Sequence, residues 1–167
     1  LLLGKILIDQ LDSQKIYFTK NEVSRLTKKF ESSSSNIEII ASYEVINLYF
    51  NRLIEATNYQ IQEVKKNNFN FDLDAQIPID DDSREAHRNS FQLRKTWRKL
   101  AKNDVLTSIL TDKTQDEAMK LITKRYENRL RRISQRNEED IFSIVMNSLA
   151  GLFDPHSSYF SPKSAED

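Results

Sequence analysis

Four residues near the end of the chain, Asp154, His156, Ser157 and Ser158, include every residue type of a serine-hydrolase triad. In such a triad the base and the nucleophile face one another across a pocket, about 2.6 to 3.2 Å apart, and come from separate segments. Neighbours in an extended turn point apart, and the sequence shows neither a nucleophile elbow nor an evident oxyanion hole. We therefore expect no catalytic residue here, and interpret the segment as a linker whose Asp and Ser side chains bind turn amides.

Metal-ligating residue types are present, but not in a pattern that a metal ion requires. The only histidines, His87 and His156, are far apart and lack a surrounding motif, and cysteine is absent. A set of aspartates lacks the Gly and the terminal Glu of a calcium loop; its members are Asp72, Asp74, Asp80, Asp81 and Asp82. The sequence therefore predicts neither a metal site nor a cofactor.

A stripe of arginines is the strongest candidate for binding. Its members are Arg125, Arg129, Arg132 and Arg136, and their spacing of three or four residues places them on one flank of a helix. Such a row could pair with phosphates, or with carboxylates of this chain or of a partner. No nucleic-acid recognition fold and no interleaved exposed aromatics accompany it, so a protein-facing or solvated stripe is favoured.

The charge of the chain is balanced as a whole but uneven along its length. Basic and acidic residues number 25 each. Residues 84–136 carry 15 basic against 6 acidic residues, whereas residues 1–83 carry 9 against 13 and residues 137–167 carry 1 against 6. A basic middle between acidic ends favours internal complementarity or a polar partner surface over a nucleic-acid clamp.

Helices must position these residues, because the composition is typical of a helical domain. Gly occurs twice and Pro three times in 167 residues, and apolar residues recur at helical spacing. The pattern predicts helices over about 1–11, 20–31, 37–66, from Ser83 or Ser90 to 110 with one break near Asn103, 115–133 and 138–153. Residues 68–82 alternate apolar and polar residues around Pro78, which indicates a long extended loop. The predicted fold class is mainly α, with five to seven helices.

Several helix starts carry capping signals. Thr19 with Glu22, and Thr114 with Glu117, have the spacing of a capping box. Asn36 and Asn137 are predicted to cap the two helices that follow them. The apolar face of 37–66 is wide, which favours a central core helix and leaves an inter-domain surface as the alternative.

The sequence also suggests how the chain is organised. We expect residues 1–153 to form a helical domain and residues 154–167 a linker that enters a new helix at Ser161-Pro162. The absence of an initiator Met leads us to expect a piece of a longer protein. The leucine-rich start has no basic region and no cleavage site, and no stretch is long enough to span a bilayer, so we expect no membrane-spanning helix.

Short motifs spread along the chain carry a resemblance to a known family. The sequence DPHSSYFSP at residues 154–162, after a hydrophobic helix, resembles the segment that leads into the PDZ domain of C-terminal processing peptidases. Other motifs resemble, in order and spacing, the helical N-terminal domain of the bacterial tail-specific proteases. They are Leu11-Asp12, Lys15 to Phe18, Phe69 to Asp72, Trp97 to Lys99, Lys102 to Leu106, Lys124 to Tyr126 and Arg132 to Gln135.

The resemblance implies a function for a longer protein. It implies a periplasmic serine endopeptidase that recognises apolar C-terminal tails through a PDZ domain and cleaves with a Ser-Lys dyad, in which a desolvated Lys is the general base. The dyad would lie outside this segment, so no residue here receives a catalytic role. The implied partners are the PDZ and protease domains of the same chain, protein substrates with apolar tails and a lipoprotein adaptor, with no nucleic acid.

A second hypothesis comes from a different functional class. The chain could be an independent helical module that binds protein or nucleic acid through the stripe of Arg125, Arg129, Arg132 and Arg136. Such binding would depend strongly on salt.

Overall fold

A computed structural model describes residues 2–32, 35–71, 85–154 and 156–159. These residues form six helices and no strand, apart from one isolated bridge between Thr19 and His87. The helices are α1 (Leu2–Leu11), α2 (Lys20–Glu31), α3 (Ser35–Lys66), α4 (Ser90–Ile109), α5 (Gln115–Ser134) and α6 (Glu138–Phe153). The predicted mainly α fold class is confirmed.

The 32-residue helix α3 is the centre of the domain and contacts each of the other five helices. Val45 and Ile46 are buried near its first half, and Val64 is buried near its end. A helix with apolar residues around much of its circumference can bury them only between several neighbours. The wide apolar face is therefore mainly a core surface, as the core-helix interpretation predicts.

Helix α3 contributes side chains to two main groups of buried residues. Phe18, Leu26, Phe30 and Val145 pack against its first half, together with α1. Against its second half, α4 and α5 supply a group that consists of Ala101, Val105, Ala118, Ile122 and Tyr126. The described part of the domain is thus a pair of helical layers that meet on one long helix.

Trp97 ties α4 to the loop between α1 and α2. It is fully buried beside Leu93 and Ala56, and its indole N–H donates to the Ile16 carbonyl at 2.7 Å. A buried Trp needs such a partner because its polar N–H is costly to desolvate alone. The contact fixes the loop against the second layer.

The predicted capping boxes are confirmed at Thr19 with Glu22 and at Thr114 with Glu117. Asn137 caps α6 as predicted, and Asp140 completes a third box by accepting the Asn137 N–H at 2.9 Å. These reciprocal bonds satisfy amides that have no partner inside the helix.

Three details of the helix predictions differ from the structure. Helix α3 begins at Ser35, so Asn36 lies inside its first turn and does not precede it. Asn89 caps α4, whose start is therefore Ser90, the second of the two predicted positions. The break predicted near Asn103 is wrong, because α4 continues to Ile109. Asn103 is exposed, while Ala101 and Val105 keep the buried face intact.

Two large apolar residues of α6 lie at the surface. Phe142 is 40% exposed and Phe153 is 90% exposed, whereas Val145 is buried. Phe142 instead makes an edge contact with Tyr159, at 5.6 Å between ring centroids. Tyr159 N–H also donates to the Asn147 side chain at 2.8 Å, so the segment after α6 lies back along this helix.

Most of the predicted extended loop, residues 72–82, lies outside the described residues. Among the helices that the structure describes, none is long and apolar enough to cross a membrane.

Candidate interaction surface

The four arginines of the predicted stripe do not act as one surface. Arg129, Arg132 and Arg136 line a groove of ≈ 310 Å³, which we call the arginine groove. The rest of its lining is Phe50 from α3, Ile133 and Gln135 from the end of α5, and Asp140 from α6. Arg125 lines a different cleft, so only three of the four predicted residues share one groove.

Arg136 has the most unusual surroundings in the arginine groove. Its guanidinium carbon is 3.2 Å from the centre of the Phe50 ring. Nε and Nη1 are shielded from solvent and have no hydrogen-bond acceptor among the residues that the structure describes. Burial lowers the pKa of Arg136, and Asp140 opposes this shift only in part. A cation on an aromatic face is favourable, but guanidinium N–H groups without acceptors carry a desolvation cost.

The other two arginines of the groove are more accessible. Arg132 is exposed to solvent. Arg129 is half-buried, and its guanidinium carbon lies 5.1 Å from the centre of the Tyr126 ring. The single acidic residue of the lining, Asp140, already serves the cap of α6. The groove therefore presents three cations against one carboxylate.

Arg125 borders a cleft of ≈ 330 Å³ between the end of α4 and α5, with Asp104, Ser108 and Lys113. Asp104 accepts a hydrogen bond from the Tyr126 hydroxyl at 2.6 Å. Burial, together with Asp104, raises the pKa of Tyr126 well above its usual range. The Ser108 hydroxyl is buried without a partner.

A third and larger cleft, of ≈ 710 Å³, follows the opposite flank of α5. Val64 and Met119 supply its apolar lining, and four basic residues border it: Lys65, Lys120, Lys124 and Arg131. Two carboxylates, Asp116 and Glu127, reduce its positive charge, and Lys65 pairs with Glu127 at 3.4 Å. Helix α5 is thus basic on both of its solvent-facing flanks.

Asp154, His156 and Ser157 form a hydrogen-bonded turn after α6. The Asp154 carboxylate accepts the backbone N–H of His156 at 3.0 Å and the hydroxyl of Ser157 at 3.2 Å. A direct bond from Asp to Ser leaves no place for a histidine base between them. The turn interpretation of this segment is therefore the one that the geometry supports.

The other sequence candidates are dispersed. In the ranges that the structure describes, no group of His, Asp and Glu could hold a metal ion. The His87 ring is 2.9 Å from the Thr96 hydroxyl. His156 is far from His87 in the sequence. All five aspartates of the acidic set lie among residues 72–84, outside the described part.

Sequence reasoning missed Phe50 and Asp140 as parts of the arginine groove. Phe50 belongs to the apolar pattern of α3, and Asp140 to the acidic first turn of α6. Both patterns are fully explained by helix formation, so neither contains a signal for a shared groove. Only the packing of α6 and the end of α5 on α3 brings them together.

The fold and these clefts define a helical domain with basic residues on both flanks of α5. The family model described as the tail-specific protease N-terminal domain matches residues 4–163, and the chain belongs to this family. The tail-specific protease of Haemophilus influenzae is 28% identical over 165 residues, an alignment that covers 95% of this chain and 23% of that protein. The chain therefore spans about a quarter of the length of this relative.

Proposed function

We propose that this chain is the non-catalytic N-terminal domain of a periplasmic serine endopeptidase that contains a PDZ domain and degrades or processes proteins with apolar C-termini. The family match over residues 4–163 is the observation that carries the proposal. The alignment covers 23% of the relative, so the rest of that protein is long enough for a separate catalytic domain with a Ser-Lys dyad.

The role proposed for this domain is mechanical. It would help to enclose the unfolded substrate and would contact the PDZ and protease domains or a lipoprotein adaptor. Phe153, at the end of α6, supports such a contact because 90% of its surface is exposed.

The first prediction concerns peptidase activity. We expect the 167-residue chain to leave a peptide with an apolar C-terminus intact, because Asp154 and Ser157 are bonded to each other in a turn. The longer protein from the same reading frame should cleave that peptide and lose the activity when its dyad Ser is replaced. Mass spectrometry of the peptide measures both.

A matched variant separates contamination from activity of the chain itself. Cleavage by the purified chain that disappears in Ser157→Ala would overturn the proposed division of labour. Cleavage that persists in this variant would come from a contaminating protease.

A second candidate function is binding of an anionic partner through the arginine groove. The specific observation in its favour is the lining of the groove, where Arg129, Arg132 and Arg136 stand against one carboxylate, Asp140. Such binding is compatible with the role in a protease, since an adaptor or another domain could supply the partner.

A further inference from the structure

The arginines of α5 differ from all others in the described helices. Every arginine of α2, α3 and α4 forms an ion pair: Arg25 with Glu44, Arg52 with Glu22 and Glu55, Arg94 with Glu55, and Arg98 with Glu63. No arginine of α5 has an ion pair within the part of the chain that the structure describes. Asp140 and Glu127 lie beside α5 without pairing with these arginines, and Arg136, which follows α5, has no ion pair among the described residues either.

Resting on the second candidate function, we infer that the arginine groove binds a carboxylate side chain from an acidic segment of a partner protein. Arg132 is exposed and available, and Arg136 is held on Phe50 without acceptors for Nε and Nη1. A carboxylate offers a planar pair of acceptors that matches a guanidinium fork. It would pair with the exposed Arg132 and with the solvent-facing part of the half-buried Arg136, whose Nε and Nη1 stay shielded.

The groove favours a single carboxylate over an extended chain of phosphates. Its volume is ≈ 310 Å³, and Asp140 lies in its lining. Glu138 and Glu139 lie immediately before Asp140 in the first turn of α6. A nucleic-acid backbone that continued past the groove would approach these acidic side chains, whereas one carboxylate would not.

Asp140, the acidic residue of the groove lining, does not take the position proposed for the partner's carboxylate. Asp140 accepts the Asn137 N–H at 2.9 Å in the capping box. Its effect on the pKa of Arg136 is smaller than the effect of burial. The positive charge of the groove is therefore left largely uncompensated.

The inference is tested with a labelled six-residue peptide that alternates glutamate and glycine, titrated by fluorescence anisotropy at an ionic strength of about 0.15 M, where charges are screened over about 8 Å. We expect the double variant Arg132→Gln/Arg136→Gln to weaken binding about tenfold or more, because each lost charge-assisted bond weakens binding severalfold. The matched control is Lys120→Gln/Lys124→Gln, which removes two exposed charges from the opposite flank of the same helix. It should change the affinity less than about twofold.

Arg136→Lys adds a test of hydrogen-bond geometry. It keeps the charge and removes the planar fork, so we expect a clear loss of affinity, smaller than that of the double variant. Circular dichroism and thermal unfolding establish that each variant is folded.

Each alternative result overturns the inference in a different way. Equal weakening by both double variants would indicate diffuse attraction to α5 and no site. Tighter binding of tripolyphosphate or of a thymidine oligonucleotide than of the peptide would retain an anionic partner and make it a phosphate. Absence of peptide binding by the unaltered chain would remove the site altogether. None of these results bears on the absence of peptidase activity, which tests the protease proposal separately.

Discussion

Arg52 belongs to α3, and Arg136 packs against Phe50 of the same helix. The two residues show how acceptors affect the role of a guanidinium. Arg52 bonds Glu22 and Glu55, both at 2.6 Å, and joins α2 to α3. Arg136 lies on Phe50 with two nitrogens unpaired. Burial alone would lower the pKa of Arg52, but the hydrogen bonds to Glu55 and Glu22 raise it. Burial lowers the pKa of Arg136, and no comparable partner reverses this.

The comparison teaches that the surroundings of an arginine, and not its type, decide its role. Where carboxylates from two helices converge, the guanidinium is part of the fold. Where an aromatic ring replaces them, the cation contributes little to the fold and remains available to a ligand. Stability and binding measurements should therefore separate the two sites.

The largest effect should come from Arg52→Ala. The side chains of Glu22 and Glu55 are 19% and 32% exposed, and removal of Arg52 would leave both without their shared cation. We expect the free energy of unfolding to fall by about 2 kcal/mol, below the full cost for a buried pair because these groups are partly solvated. Urea denaturation at neutral pH measures the loss.

Arg132→Ala is the control for this experiment, since it removes an exposed arginine of α5. Its effect should stay within about 0.5 kcal/mol. Equal losses for the two variants would contradict the distinction between the sites.

An intermediate effect is expected at Glu22. Its carboxylate completes the α2 capping box and also receives Arg52. Gln can keep the box but not the charge, so Glu22→Gln should cost about 0.5 kcal/mol and Glu22→Ala, which loses both, about 1.5 kcal/mol. A similar cost for both substitutions would show that the capping box contributes little, and unchanged stability of Glu22→Gln would show the same of the ion pair.

The same residue predicts a pH dependence. Burial alone would raise the pKa of Glu22, but hydrogen bonds from Thr19 and Arg52 lower it below the ordinary value of 4.5. The stabilisation is therefore present above that value and is lost as the pH falls through the lowered pKa. Acid titration of the unfolding free energy should show a shallower decline in Glu22→Gln than in the unaltered chain. Parallel curves would contradict the assignment.

The smallest effect on stability is expected at Arg136, where binding should change most. Arg136→Gln removes the contact with Phe50, which favours folding by about 0.5 to 1 kcal/mol, and also removes donors that are buried without acceptors. These contributions oppose each other, so the unfolding free energy should change by less than about 0.5 kcal/mol. A loss as large as that of Arg52→Ala would make Arg136 a structural residue.

The helix boundaries were largely predictable because they depend on local chemistry. Thr19, Thr114 and Asn137 each cap a helix through a side chain and an acidic residue three positions later, which the sequence displays directly. Asn36 failed as a cap because a polar loop of several serines offers more than one start, and the structure begins α3 at Ser35. The apolar residues of α5 recur at helical spacing, and Ile122, Tyr126 and Ile133 are buried.

Asp12 illustrates what local patterns do not reveal. It is 6% exposed, and its carboxylate accepts the backbone N–H groups of Ile16, Tyr17 and Phe18 at 2.7 to 3.2 Å. Burial and the charges of Tyr49 and Asp12 raise the pKa of Tyr17 to about 12, while Arg129 opposes the shift. An aspartate after a helix has no sequence signal that distinguishes this role from a solvated turn.

The sequence by itself determined that this protein is a helical domain, where most of its helices begin, and that Arg125, Arg129 and Arg132 fall on one flank of α5. These properties follow from apolar periodicity and from contacts within a few residues. Only the tertiary structure decided which arginines have acceptors, because Glu22 reaches Arg52 and Phe50 reaches Arg136 across distant parts of the chain. Helical spacing fixes the direction of a side chain, while the packing of other helices decides what it meets there.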